Sequence, residues 1–257
     1  MRVISLTCSN TEIVCALGCA DLLVGVDNHS DYPAEVVAKL PRVGPDLGVE
    51  IDKVIALRPD LVLASLTVPG HEKVVNALQQ AGLNYIAPEP VSLEDVYQDI
   101  VTIGGRLEVE PRGHELVAQM KKLITLCAVD KFKNRPSIMV QWWPKPVIAP
   151  GRHSWVHDLI LAAGGINPMA QRDVKSTPLE DHEVRSIDPD AMVISWCGVR
   201  TEKYRPEVVY RNESWKTAKF IVNGHVHCIP EALLGRPSPR LVEGYHALKD
   251  LVRRLRD

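Results

Sequence analysis

Aromatic side chains are scarce, 5% of the 257 residues with only 2 phenylalanines, and nowhere do about 18 uncharged apolar residues run together. A helix that crosses a bilayer needs such a run, so no membrane insertion is expected. Acids and bases nearly cancel, 32 against 30. No cationic excess is left to neutralise a phosphate backbone, which argues against a nucleic-acid partner. Neither GxxxxGKS/T nor GxGxxG occurs, so no phosphate-cradling loop is encoded, and the GxSxG elbow of hydrolases is missing too. No CxxC pair is present, which removes support for a structural zinc site or thioredoxin-like chemistry. What is present suits a folded protein of about two domains: 46% hydrophobic and 24% charged residues.

Met1-Arg2 leads straight into apolar Val3–Leu6, without the basic region, apolar core and small-residue cleavage site of a secretory leader. From the residues alone, a mature exported chain and a cytoplasmic protein stay as alternatives. Six cysteines, Cys8, Cys15, Cys19, Cys127, Cys197 and Cys228, are expected to be buried free thiols, with Cys15 and Cys19 four apart on one helix face.

Short apolar strands alternate with helices in the first half. Val3–Leu6, Leu23–Val26, Leu61–Ala64 and Tyr85–Ala87 read as strands, with helices over Thr11–Leu17, Ile51–Leu57 and His71–Ala81. That rhythm predicts a parallel α/β sheet. The middle breaks it with a helix over Ser92–Leu107 and a second that Pro111 opens and that runs to about Phe132, a rod of roughly 30 Å. Alternation then resumes with Ile138–Gln141 and a helix over Ser154–Ala163. VIALRPDLVLAS at Val54–Ser65 is echoed by VRSIDPDAMVIS at Val184–Ser195, each a helix end, a Pro-Asp turn and a buried strand. The fold class expected is therefore α/β, two Rossmann-like lobes with central parallel sheets joined by one long backbone helix. Its parts are an N-terminal lobe over 1–108, the linking helix over 109–133 and a C-terminal lobe over 134–257.

Few residues suggest chemistry. His153 and His157 fall four apart on a predicted helix, and His225 and His227 two apart on a predicted strand, so each pair shares a face. Neither takes the HExxH form, and no metal site is assigned. Cys8, near a helix start, lacks a partnering histidine motif, so no catalytic residue is named. Trp142 and Trp143 end the first predicted strand of the second lobe, Trp155 opens its first helix and Trp196 ends a later strand, all toward the carboxyl edge where open α/β sheets bind ligands. They could cap a core, but four at one edge suit a large, flat, partly apolar ligand better, with Arg152 and Arg236 in nearby loops for its polar groups.

The runs RVISLTCSNTEIVCALG, VGVDNHSDYP, IALRPDLVLAS and GRPSPRLVEG follow one another in an order that resembles the vitamin B12-binding proteins of cobalamin ABC importers. Those belong to the helical-backbone class of substrate-binding proteins, which also carries iron-siderophores and haem. The resemblance covers almost the whole chain. It implies a monomeric, non-enzymatic protein that binds cobalamin or a related corrinoid in the cleft between its lobes and needs no catalytic cofactor. Cargo would pass to ABC permease subunits. By position, His29 stands at an aromatic ligand contact of the family, with Tyr32 of the same motif beside it. Trp142 and Trp143 match an aromatic contact of the second lobe, and Arg236 an arginine near the ligand. Glu72 matches a permease-docking glutamate, and Glu202 is offered as its second-lobe counterpart. Two first-lobe tryptophans of the B12 proteins fall here on about Asp46 and Ser65, a remodelled surface for which Trp155 and Trp196 could compensate. The resemblance implies a periplasmic location; the bare N-terminus suggests a cytoplasmic one. A ferric-siderophore or haem receptor using Arg152, Arg200, Arg205 and Arg236 is the alternative within the binding class. A cytosolic, chelatase-like corrinoid enzyme acting through His29 or the His153/His157 pair is the alternative outside it.

Overall fold

The structure is a computed structural model that describes residues 1–125 and 134–256. Its contacts divide the chain into two compact units, Met1–Pro90 with Asp95–Gln119, and Val91–Glu94 with Met120–Asp257.

In the first unit, β1 (Val3–Ser5), β2 (Leu23–Val26), β3 (Leu61–Leu63) and β4 (Tyr85–Ile86) form one parallel sheet in the order β2-β1-β3-β4. Between the strands run α1 (Cys8–Ala16), α2 (Ala34–Val37), α3 (Ile51–Ala56) and α4 (His71–Gln80). Both faces of a parallel sheet are covered, so its strands can be apolar throughout, and Ile4, Leu6, Val62 and Ala64 pack with Val43, Val54, Val74 and Leu78 into one core. Gly25 sits in β2 where a Cβ would come within 2.7 Å of Leu57 Cδ1, so the leucine side chain packs down onto the strand in the space that glycine leaves.

The helices α5 (Leu93–Arg106) and α6 (Glu110–Leu123) follow. They approach closely at Gly113, where a Cβ would stand 3.1 Å from Val101 Cα. The expected helix to Phe132 is shorter at its described end. Ile124 and Thr125 are not helical, and Lys121 and Lys122 complement the dipole of the last turn. At 14 residues, α6 is about 21 Å long rather than 30. The remainder of the predicted segment, with Cys127, lies outside the described residues.

The second unit holds a parallel sheet β10-β9-β5, made of β5 (Ile138–Gln141), β9 (Ala191–Ile194) and β10 (Val226–Cys228). An antiparallel sheet of β6 (Trp143–Pro144), β7 (Val147–Pro150) and β8 (Ser176–Leu179) was not foreseen from the sequence. Helices α7 (Trp155–Ala162), α8 (Asp181–Ile187), α9 (Glu207–Tyr210), α10 (Lys219–Val222), α11 (Glu231–Leu234) and α12 (Leu241–Arg254) pack around these sheets. Met139, Met192, Ile194, Trp196, Trp215 and Phe220 form the core. Gly244 lets α12 lie against α11, since a Cβ would fall 2.0 Å from the Leu233 carbonyl oxygen.

The sequence echo is a structural one. The residue before each Pro-Asp turn is left-handed, Arg58 at φ 47° and Asp188 at φ 45°. The turn aspartates then accept the amide that opens the first strand of each unit: Arg2 N to Asp60 at 2.6 Å, and Ser137 N to Asp190 at 2.7 Å. Two local expectations need correction. Cys19 lies beyond α1, because Gly18 at φ +71° ends the helix before it. Cys197 and Cys228 are exposed rather than buried, since both lie at the carboxyl ends of their strands.

Asp99 on α5 faces Asp95 one turn earlier, and burial first, then that neighbour, pushes its carboxyl up to about 7. A carboxyl that resists ionisation only in the folded state subtracts stability as pH rises from about 4 to about 7, and subtracts a constant amount above that. Asp99→Asn is therefore expected to match the parent near pH 4. It should exceed it at pH 8 by on the order of 1–2 kcal/mol in urea unfolding, after allowance for solvent screening. Equal stabilities at pH 8 would contradict this.

Candidate functional site

The carboxyl edge of the first unit's sheet is polar and tightly bonded. Ser5, Thr11, Asp27 and Ser30 are all buried there. Thr11 Oγ1 donates to Ser5 Oγ at 2.8 Å and lies 2.8 Å from Ser30 Oγ, and Ser30 Oγ donates to Asp27 Oδ1. The other Asp27 oxygen accepts the His29 amide at 2.7 Å. Burial pushes the Asp27 carboxyl up, against the pull of those two hydrogen bonds. Arg42 donates to the carbonyls of Asp27 and Ser30 at 2.7 and 2.6 Å, so the loop that presents His29 is held from both sides. The His29 ring itself is half exposed, and Tyr32 is exposed in the same loop.

Asp46 stands between two imidazoles, its Oδ1 3.7 Å from His29 Nε2 and its Oδ2 3.4 Å from His71 Nε2. The bond from His71 holds the Asp46 carboxyl below the ordinary range, and His29 adds to the effect against opposing burial. Glu72, in the first turn of α4, is exposed and accepts the Gly70 amide at 2.7 Å.

The second unit divides the four tryptophans. Trp143 in β6 is exposed, and Trp142 precedes it, its ring 6.4 Å from that of Trp155. Trp155 and Trp196 are each only 6% exposed. Trp155 Nε1 donates to the Leu234 carbonyl at 2.7 Å and Trp196 Nε1 to Gln141 Oε1 at 2.9 Å, so both indoles spend their donor inside the unit. Three polar atoms at this edge, Gln141 Nε2, Trp142 Nε1 and Ser195 Oγ, are buried with no hydrogen-bond partner among the described residues. Bonds left unmade in this way call for a ligand, an ordered water or a side-chain rotation to complete them. Arg152 is exposed, whereas Arg236 is mostly covered and pairs with Glu231 at 3.1 Å. Glu202 is exposed on a short 3-10 turn, Thr201–Lys203.

The first of the two histidine pairs does not share a helix face. Ser154 caps α7 by accepting the Val156 amide, which leaves His153 ahead of the helix. His153 binds Asp173 at 2.8 Å, while His157 Nδ1 lies 3.4 Å from the Asn167 amide nitrogen. His225 and His227 do stack, with centroids 6.3 Å apart. No group of three or more His, Cys, Asp or Glu residues that could hold a metal ion occurs among the described residues, and no described helix is long and apolar enough to cross a membrane. Asp27, Gln141 and Ser195 were missed by sequence reading, although Asp27 sits inside the VGVDNHSDYP run and Gln141 ends a predicted strand.

The family model described as "Periplasmic binding protein" matches residues 3–233. An uncharacterized ABC transporter substrate-binding lipoprotein, YvrC of Bacillus subtilis (strain 168), is 27% identical over 98% of this chain and 79% of its own length. A vitamin B12-binding protein of Yersinia pestis (strain Pestoides F) is 25% identical over 83% of this chain and 79% of its own. Among solved structures, the periplasmic heme-binding protein RhuT from Roseiflexus sp. RS-1 in apo form superposes with a TM-score of 0.83 at 25% identity, covering 100% of this chain and 99% of that one.

The clamp on the His29 loop gives a direct test. Asp27→Ala leaves the Ser30 hydroxyl and the His29 amide without their acceptor, a loss of about 1–3 kcal/mol in denaturant unfolding. The His29 amide should also exchange its hydrogen faster. Unchanged exchange at that amide would show that Arg42 alone holds the loop.

Proposed function

Because this chain belongs to the periplasmic binding protein family, we propose that it captures a metal-containing macrocycle, in the first place cobalamin or a related corrinoid, and delivers it to the permease of an ABC transporter. The observation that carries this reading is the exposed Trp143 indole just beyond the carboxyl end of β5, next in sequence to the half-buried Trp142, whose Nε1 has no hydrogen-bond partner among the described residues. An exposed indole face suits the flat ring of a corrinoid, and an indole N–H is a neutral donor that matches the carbonyl oxygens of its amide rim once a side-chain rotation brings it to the surface. Arg236 is offset by Glu231 and so adds little net charge for an anionic cargo. In this reading His29, Tyr32, Trp142 and Trp143 contact the ligand, and Trp155, Trp196, Arg152 and Arg236 support or flank them. The vitamin B12-binding relative lends the same support.

Haem is the second reading, favoured by the heme-binding neighbour and by the exposed Arg152, which could meet a carboxylate. A chelatase-like enzyme is not proposed. The family is one of binding proteins, and His153 and His157 are each engaged with a different neighbour. The protein works in the periplasm as a monomer, with permease subunits as its partners and Glu72 and Glu202 as the acids that dock on them.

Calorimetry with cyanocobalamin, haemin and a ferric hydroxamate tests the cargo. Cyanocobalamin should bind one to one, and at a hundredfold excess over its Kd it should stabilise the fold by about 2.7 kcal/mol. Heat from haemin alone would move the reading to haem, and silence from all three would overturn it. Glu72→Ala should weaken association with permease in vesicles by tenfold or so while leaving cargo affinity unchanged, because a rim charge governs partner recognition. Unaltered association would remove Glu72 from the docking surface.

A further inference from the structure

The polar edge of the first unit contains an arrangement that capture of a flat ring does not require. His71, at the start of α4, is buried at 3% exposure. Its Nδ1 accepts the Val68 amide at 3.4 Å, which needs a lone pair on that nitrogen and so leaves the ring proton on Nε2. Nε2 faces Asp46 Oδ2 at 3.4 Å, and the Leu47 amide donates to Oδ1 at 2.9 Å. One side of the Asp46 carboxylate is thereby fixed by a buried donor whose own tautomer is fixed. The other side points at His29, with Oδ1 at 3.7 Å from Nε2. The His29 backbone is anchored through Asp27 and Arg42, while its ring is 52% exposed.

An exposed imidazole with one nitrogen beside a carboxylate is the arrangement that metal-ligating histidines have, since the carboxylate keeps the proton on the near nitrogen and leaves the far one as a donor. At 3.7 Å the Asp46 oxygen is an ion-pair neighbour of His29 Nε2 rather than a hydrogen-bond partner, and its negative charge favours the proton on that nearer nitrogen. We infer that Asp46, backed by His71, is a positioning residue that keeps His29 protonated on Nε2, so that Nδ1 of His29 ligates the metal at the centre of the cargo. The step is a ligand exchange. In a cargo that carries an exchangeable axial water, the Nδ1 lone pair forms the bond to the metal, that water leaves, and no proton or electron moves. The inference rests on the proposed capture of a metal-containing macrocycle.

Two measurements test it and separate its failure from that of the cargo reading. In the ligand-free protein, nitrogen-15 NMR of the His29 ring should report Nε2–H for the parent, a shift of the proton toward Nδ1 in Asp46→Asn, and recovery in Asp46→Glu. The same tautomer in the parent and Asp46→Asn would overturn the positioning role. With diaquocobinamide, whose axial waters exchange, the visible bands should shift as imidazole replaces water, and with dicyanocobinamide, whose axial sites are capped, they should not. His29→Ala should abolish the shift, and Asp46→Asn should weaken it by 10–100-fold in apparent affinity. A shift that survives His29→Ala, or binding of diaquocobinamide with no shift, overturns the ligation alone. No binding of cyanocobalamin, of either cobinamide or of haemin to the parent overturns the cargo reading and the ligation with it.

Discussion

In each unit an aspartate carboxylate holds the amide that opens the first strand, Asp60 on Arg2 and Asp190 on Ser137. This short-range bond fixes where the neighbouring parallel strand starts, and backbone bonds back from Asp60 and Asp190 to the carbonyls of Arg2 and Ser137 close the same junction. Because these strands are apolar on both faces, their side-chain pattern alone does not fix the register, and the pinned junction supplies that constraint between β1 and β3 and between β5 and β9. With the amino ends pinned, the carboxyl ends come out in register, and the loops after β1, β2 and β3, and after β5, β9 and β10, inherit their positions from that. The left-handed residue before each turn, Arg58 or Asp188, is the strain that accompanies the junction.

What the edges carry follows from burial. A polar group placed at the end of a fully covered sheet must find a partner or remain unsatisfied. The first unit answers with a closed network, Thr11, Ser5, Ser30 and Asp27, that stiffens the loop behind His29. The second leaves three bonds unmade at Gln141, Trp142 and Ser195. A presenting loop stiffened in this way has little left to order when cargo arrives, which is what preorganised recognition requires.

Much of this was legible in the sequence. Runs such as Leu61–Leu63 and Ile138–Gln141 are too apolar and too short for anything but covered strands, and the Pro-Asp echo by itself marks a repeated unit. The antiparallel sheet was not legible, because β6 has two residues and the Ser176–Leu179 strand is polar and mostly exposed, so no apolar alternation marks either. Nor could sequence divide the tryptophans. Trp196 sits two residues past the end of a buried strand, and only its bond to Gln141 and its packing against Tyr204, with rings 5.6 Å apart, decide that it faces inward. Asp46 drew notice as a departure from a tryptophan. Its meaning depends on His71, 25 positions away, and on His29, brought to it by folding.

The proposed capture engages the carboxyl edge of the parallel sheet in each unit. Amide hydrogen exchange of the protein with and without saturating cyanocobalamin tests it most directly. Protection is expected to concentrate in residues 27–30 of the first unit and in 141–143 and 195–197 of the second, with the antiparallel strand β8 and the outer helices unchanged. Protection confined to Asp181, Val208, Val209, Asn212 and Trp215, around a cavity of about 380 Å³ that Gln141 also borders, with residues 27–30, 142–143 and 195–197 unaltered, would contradict this reading.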